Sequence, residues 1–374
     1  MTTSEAPESR GTLSGPAALL DYPATMRPLS ILDVSPVSAG STEAQALRNT
    51  LDLAQLADEL GYHRYWMAEH HGGALVASSS PEIMIGQVAG ITERIRVGAG
   101  GIMLPNHSAL RVAEQFKVLE ALHPGRIDLG IGRAPGTDQL TAFALHRSRE
   151  ALSAQDFPEQ LAELLAFSGK REWPADHHFA GVRAAPFETP LPPIFLLGSS
   201  DYSAQLAASA GFGFAFAAHI NPFPATEALL AYRELFKPSP ELAEPYAILA
   251  HSAICAPTDE EAQRLATPAR VAFRRLRSGR ATPIPTLEEA LAEDGSSDSS
   301  SPEGRVRRVM VGAPASVRES LEELANAGQA DELMVTTNMH GHEDRRRSVE
   351  LLAAEFGLQG AATASATRPD PAAA

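Results

Sequence analysis

The sequence predicts a (β/α)8 barrel, on three observations. Eight short apolar runs recur along the chain, and each is followed by a stretch with helical periodicity. The runs are apolar on both faces rather than alternating, as parallel strands covered by helices are. Strict alternation of strand and helix implies parallel pairing with crossover helices, and eight such units close a TIM barrel. An open doubly wound sheet is the rival and requires a glycine-rich GxGxxG turn after the first strand, whereas the turn here reads VSAGST.

The first run is LSILDVSP (29–36), followed by STEAQALRNTLDLAQLADELG. In that helix Thr42 and Gln45 are placed for a capping box, Leu53, Leu56, Ala57 and Leu60 line one face, and Gly61 supplies a left-handed stop. HRYWMAEH (63–70) comes next, with a helix from about 81 to 92, then RVGAGGIMLP (96–105) with a helix from about 108 to 122. GRIDLGIGRA (125–134) is followed by a helix near 156–167. The remaining runs are PIFLLGSS (193–200), GFAFAAH (213–219), YAILAHSAICAP (246–257) and ELMVTTNM (332–339). The stretch 306–330 is the part whose pattern fits this scheme least.

Three segments lack the apolar content to offset the entropy of ordering: 1–27, 358–374 and EDGSSDSSSPEG at 293–304. The expected folded body is therefore 28–357, with a flexible insertion at about 278–305, before the last strand. At 374 residues and 44% hydrophobic content the chain can build one large packed core. Its formal charge of -15 repels phosphate backbones and anionic membrane surfaces, so neither nucleic acid nor a membrane is an expected partner. A lone cysteine, Cys255, excludes an internal disulfide and any cysteine metal cluster. The start, MTTSEAPESRG, has no signal-peptide pattern, and the longest apolar run, GFGFAFAAHI, is about half a membrane span. A cytoplasmic location is expected.

In a barrel the chemistry sits at the C-terminal ends of the strands. That rule collects Asp33, Ser35, Glu69, His70, His71, Asn106, His107, Arg133, Ser199, Ser200, His219, Asn221 and the loop Asn338 to His342. Adjacent residues on a strand face opposite ways, so one at most of His70 and His71 points to the barrel axis. The His340 and His342 pair has the look of metal ligands but no third ligand at a recognisable spacing, which favours a solvated loop; the same reading fits His177 and His178. Trp66 reads as wall packing. Ser199 and Ser200 open a helix after an apolar strand and a glycine, an arrangement that binds phosphate at the positive helix N-terminus. Simple N-capping explains the same serines equally well.

The stretches GYHRYWMAEHH, RVGAGGIMLPNHS, RVAEQFKVLEALHPGRIDLGIGRAPGTDQ, IFLLGSSDYSAQLAA and ADELMV follow one another across about 29–340. In them the chain resembles the bacterial luciferase-like flavin-dependent monooxygenases. The resemblance implies an eight-stranded barrel, reduced FMN supplied by a separate flavin reductase, molecular oxygen as oxidant, and a small-molecule substrate. A homodimer is expected. Position by position, His70 matches a histidine that acts near the flavin, and Gly100-Gly101 a non-prolyl cis peptide against the flavin ring. Arg133 matches an arginine that pairs with the flavin phosphate, and Ser199, Ser200 and Ser203 match the phosphate loop. One departure matters: where light-emitting luciferases carry a reactive cysteine this chain has Gly132, so light emission is not expected. Ile102, Met103 and Leu104 are candidates for the apolar wall that keeps water from the reacting flavin. Two rival readings stand beside this one. One is a hydride-transferring deazaflavin-dependent oxidoreductase on the same fold; the other is a metal-dependent barrel hydrolase using Glu69, His70 and the HGH loop.

Overall fold

The computed structural model describes residues 26–146, 156–294 and 309–360. Its strands are β1 (Leu29–Asp33), β2 (Arg64–Met67), β3 (Arg96–Met103), β4 (Ile127–Gly132), β5 (Ile194–Gly198), β6 (Gly213–Ala217), β7 (Ala247–Cys255), β8 (Val309–Gly312) and β9 (Glu332–Thr336). All pairings among them are parallel. β1 to β7 pair in sequence order, β7 pairs with β9 and β9 returns to β1, which closes the eight-stranded barrel. Each barrel strand lies in one of the eight apolar runs. β8 is the exception: it falls in the poorly patterned 306–330 stretch and pairs outside the ring with the far end of β7, Ser252 to Cys255.

The helices are α1 (Glu43–Leu60), α2 (Pro81–Ile91), α3 (Ala109–Leu122), α4 (Gln139–His146), α5 (Phe157–Ser168), α6 (Asp201–Ala210), α7 (Ala225–Leu235), α8 (Asp259–Arg277), α9 (Leu287–Asp294), α10 (Pro314–Gly328) and α11 (His342–Glu355). At the start of α1, Thr42 Oγ1 accepts from Gln45 N at 3.1 Å, while the Gln45 side chain bonds Asn49 instead of returning to Thr42, so only half of the capping box forms. Gly61 ends the helix at φ 87°, and a Cβ there would lie 2.5 Å from the Gln359 carbonyl oxygen. Of the stretch expected to be a flexible insertion, 278–286 is turn and loop and 287–294 is helix. Ile284 is 2% exposed and bridges Ser38, and α9 follows directly. The rest of that insertion, from 295, lies outside the described residues, as do the terminal segments apart from 26–27 and 358–360.

The main core fills the space between barrel and helices, where the outward strand residues Ile31, Tyr65, Met67, Val97, Leu129 and Leu333 meet Leu53, Val88 and Phe116. The lumen has its own packing, built from Leu32, Trp66, Ala68, Phe195, Ile248, Ala250 and Met334. Below this layer a charged floor closes the N-terminal end. Arg64 lies 2.8 Å from both Asp128 and Glu332, Arg96 holds the other Asp128 oxygen, and Ser30 and Tyr246 donate to Glu332. Burial alone would raise both carboxyls, yet the arginines, with Arg64 against each, hold them below the usual carboxylate range. With the floor sealed, the open end is the C-terminal one.

Candidate active site at the barrel mouth

Strand alternation carries the lumen-facing set upward: Trp66 and Ala68 are followed by His70, and Met334 by Thr336 and Asn338. Gly100, Gly132 and Ala217 stand on the neighbouring strands; a Cβ on Gly100 would meet Leu32 at 2.6 Å and Trp66 at 3.1 Å, and one on Gly132 would meet the Met103 side chain at 2.6 Å. His70 is half-buried, and its buried Nδ1, like Thr336 Oγ1 and Asn338 Oδ1, has no hydrogen-bond partner among the described residues. Buried polar atoms left unpaired are costly, and a bound polar molecule is one remedy.

His219, past the end of β6, is the second imidazole at this level. Its Nδ1 lies 3.3 Å from the Ala250 carbonyl, and burial pushes its pKa down to about 4, with a smaller contribution from the neighbouring His251 and His70. Burial also lowers His70, against the opposing pull of Glu69. Both rings are therefore neutral near pH 7 and able to accept a proton. His219 was legible as a strand-end residue; its closeness to His70 was not, because the two are 149 positions apart.

The peptide bond between Gly100 and Gly101 is cis. The β3–β4 register shifts at this point, between Ala99 and Ile102. A Cβ on Gly101 would meet the Gly130 carbonyl oxygen at 2.8 Å, and one on Gly130 would meet Ala99 O at 2.0 Å, so both positions require glycine. At the end of the next strand the guanidinium of Arg133 stacks 4.2 Å from the ring centroid of Tyr202 in the first turn of α6. Ser200 is the N-cap residue of α6, with extended backbone and no side-chain capping bond. The capping explanation thus fails for its hydroxyl, which is left for another partner. Asp201 in the same turn is exposed and negative, so an anion here needs Arg133 as well as the helix N-terminus. Ser199 accepts from Asn221 Nδ2 at 3.2 Å through its carbonyl, which ties β5 to the loop after β6. Ser203 is 8% exposed and packs on Gly198. His70, Gly100-Gly101, Arg133 and Ser199-Ser200 thus stand on or just past β2, β3, β4 and β5, four strands in ring order, and form one continuous arc.

Other strand-end residues are spent on structure. Asp33 accepts from the Tyr65 hydroxyl, from Ser35 N at 2.7 Å, and pairs with Arg345 at 2.9 Å. His340 Nε2 lies 3.2 Å from Ala39 O, and His342 Nε2 lies 2.7 Å from Asp52, so the HGH histidines are engaged with different partners. His177 stacks on Trp173 and on His178, a cluster of rings rather than a loose polar loop. Among the described residues no group of three or more His, Cys, Asp and Glu is arranged to hold a metal ion. A hollow of about 580 Å³ opens on α4, lined by Leu140, Thr141, Phe143 and Ala144, none of which is a strand-end residue. Among the described residues no helix is long and apolar enough to cross a membrane.

The closed eight-stranded parallel barrel is the fold of the luciferase-like monooxygenases. Residues 28–331 match that family, described as "Luciferase-like monooxygenase", and the chain belongs to it. It is 48% identical over 326 residues to the uncharacterized protein YvbT of Bacillus subtilis, covering 87% of this chain and 95% of the relative. It is also 36% identical over 326 residues to the N-acetyl-S-alkylcysteine monooxygenase of the same organism, covering 87% and 96%. Among solved structures, apo-MsnO8 superposes with a TM-score of 0.82 at 38% identity, covering 89% of this chain and 99% of that one.

Proposed function

We propose that this luciferase-like oxidoreductase takes reduced FMN, delivered by a separate flavin reductase, and uses molecular oxygen to oxidise a small organic molecule. The observation that carries this reading is the anion cradle at one end of the arc: Arg133 held by Tyr202 beside the uncapped Ser200. A guanidinium, a free hydroxyl and first-turn N–H groups suit a phosphate dianion. Gly100-Gly101 and His70, next along the arc, would border the flavin ring. When bound, reduced FMN would supply the electrons that activate oxygen.

The chain's own residues have three tasks. Arg133 and Ser200 hold the phosphate end and so fix the ring's position. His70, neutral and carrying an unpaired Nδ1, holds or moves a proton where the ring meets the substrate, with His219 close by. Excluding water at β3's end would fall to Met103, whose side chain lies beside Gly132, because Ile102 and Leu104, expected as part of this wall, pack in the core between barrel and helices. Similarity to an N-acetyl-S-alkylcysteine monooxygenase supports a thioether as the first substrate class to try.

The expected second copy would cover α2 and α3, neighbouring helices that expose Ile83 (63%), Ile91 (40%), Val118 (46%) and Leu122 (67%). Large apolar side chains exposed on neighbouring helices support such a contact. The test of the cofactor reading is a pair of titrations, FMN against riboflavin, followed by flavin fluorescence. A phosphate cradle requires FMN to bind the tighter, and equal affinities would remove it.

A further inference from the structure

Glu69 lies in the middle of the motif that bears His70, is fully buried, and faces away from His70 along the strand end. Its carboxylate accepts from four groups. His71 Nε2 donates to Oε1 at 2.8 Å and Asn106 Nδ2 to the same oxygen at 3.0 Å. The Met103 amide donates to Oε2 at 2.8 Å, and His107 Nε2 lies 3.0 Å from both oxygens. A carboxylate only accepts, so each imidazole must present an N–H to it. Met103 ends the strand that contains Gly100-Gly101, Asn106 closes the 3-10 turn Leu104–Asn106, and His107 follows it. One buried charge therefore ties the end of β2 to the end of β3 and to the turn beyond.

We infer that Glu69 is a positioning residue: it locks the segment carrying His70 against the wall carrying Gly100-Gly101, so that His70 stays aimed at the barrel axis. This deepens the functional reading above and rests on it for what His70 does. The geometry of the clamp itself is independent of any flavin.

The clamp has a pH dependence. The groups that face Glu69 are His71 and His107, with His70 adjacent in sequence; those that face His107 are Glu69 and Glu82. Burial opposes charge on both partners, but the imidazoles and Asn106, with His107 foremost, hold Glu69 below the usual carboxylate range, and Glu69 holds His107 above the usual histidine range. A raised histidine contributes fully below its unfolded value, and that contribution is lost as pH rises through the folded value. The clamp therefore loosens on the alkaline side.

The experiment follows the histidine ring signals of the full-length chain by NMR against pH, in the wild type, Glu69→Gln and Glu69→Ala. Glu69→Gln keeps an acceptor for the Met103 amide and the side-chain shape, so it serves if Glu69→Ala fails to fold. We expect the His107 titration to fall in both variants, since burial opposes its charge and Glu69 is the chief group that raises it. His70 supplies the reading that separates positioning from simple electrostatics. Loss of a nearby carboxylate by itself pushes His70 lower still, so a His70 titration that moves up toward about 6.5 reports a ring that has swung into water. An unchanged His107, or a His70 that falls or stays, overturns the positioning role. Neither measurement involves flavin: a wild type that binds no FMN but shows these shifts would defeat the cofactor reading and leave the clamp intact.

Discussion

Replacing Asp128 by Ala tests whether the floor of the barrel and its mouth are separate in energy. Asp128 is fully buried and accepts from Arg64 Nη1 at 2.8 Å, Trp66 Nε1 at 3.0 Å, and Arg96 Nε and Nη2 at 3.1 and 2.5 Å. Removing it strips the buried indole N–H of its acceptor and leaves Glu332 as the one carboxylate paired with Arg64. Arg96 suffers less, because it also donates to the carbonyls of Gly125 and Ile127. Breaking a buried ion pair on one side costs about 3–5 kcal/mol. With an unfolding entropy of about 2.1 cal/mol/K per residue over roughly 330 folded residues, each kcal/mol is worth about 1.4 °C, so the melting temperature should fall by about 4–7 °C. Asp128→Asn, which keeps an acceptor and the shape, should lose less. Calorimetry gives both numbers. FMN affinity, measured well below the transition, should stay within about two-fold of wild type, since no cradle residue touches the floor; that bound corresponds to about 0.4 kcal/mol. A loss of stability under about 1 kcal/mol, or a fall in FMN affinity that tracks the stability loss, would refute the reasoning.

Three further outcomes follow from the site. Arg133→Ala should weaken FMN binding by about 1.5–3 kcal/mol, roughly 10- to 150-fold, and barely alter riboflavin binding; Ser200→Ala should show the same selectivity at about 0.5–1.5 kcal/mol, and parallel losses for both ligands would remove the phosphate site. His70→Ala should lower oxygenation by roughly 10²-fold while oxygen uptake is increasingly lost as hydrogen peroxide, and His71→Ala, which removes one of four donors to Glu69, should do less; equal small effects in turnover assays would count against His70. The double variant Val118→Glu, Leu122→Glu should sediment as a monomer where the wild type sediments as a dimer, and a monomeric wild type would end the proposed pairing through α2 and α3.

Much of the fold could be read from the chain because the barrel strands are buried on both faces, which leaves unbroken apolar runs that no amphipathic helix produces. The arc was legible for a related reason: strand ends are where polar groups must appear. His70, Arg133 and the serines stand out against the apolar runs before them. What stayed hidden depends on distance along the chain. Three of the four partners of Glu69 lie 34 to 38 positions away, in Met103, Asn106 and His107, so its carboxylate read as a rim group when it is a buried tie. Arg64, Asp128 and Glu332 were not singled out in the sequence, because only the closed ring brings three widely separated charges into one lumen. β8 was missed because VMVG is only four residues long and pairs with an extension of β7 outside the repeating unit.

The central claim, that the arc holds reduced FMN, is tested most directly by anaerobic titration of the pure chain with chemically reduced FMN and, separately, with the reduced deazaflavin F420. The account predicts that reduced FMN binds at least about ten-fold more tightly, a difference of about 1.4 kcal/mol, and that admitting oxygen oxidises the bound flavin without added NADH or NADPH. Tighter binding of the reduced deazaflavin, with no oxygen consumed, would contradict it and assign the barrel to hydride transfer.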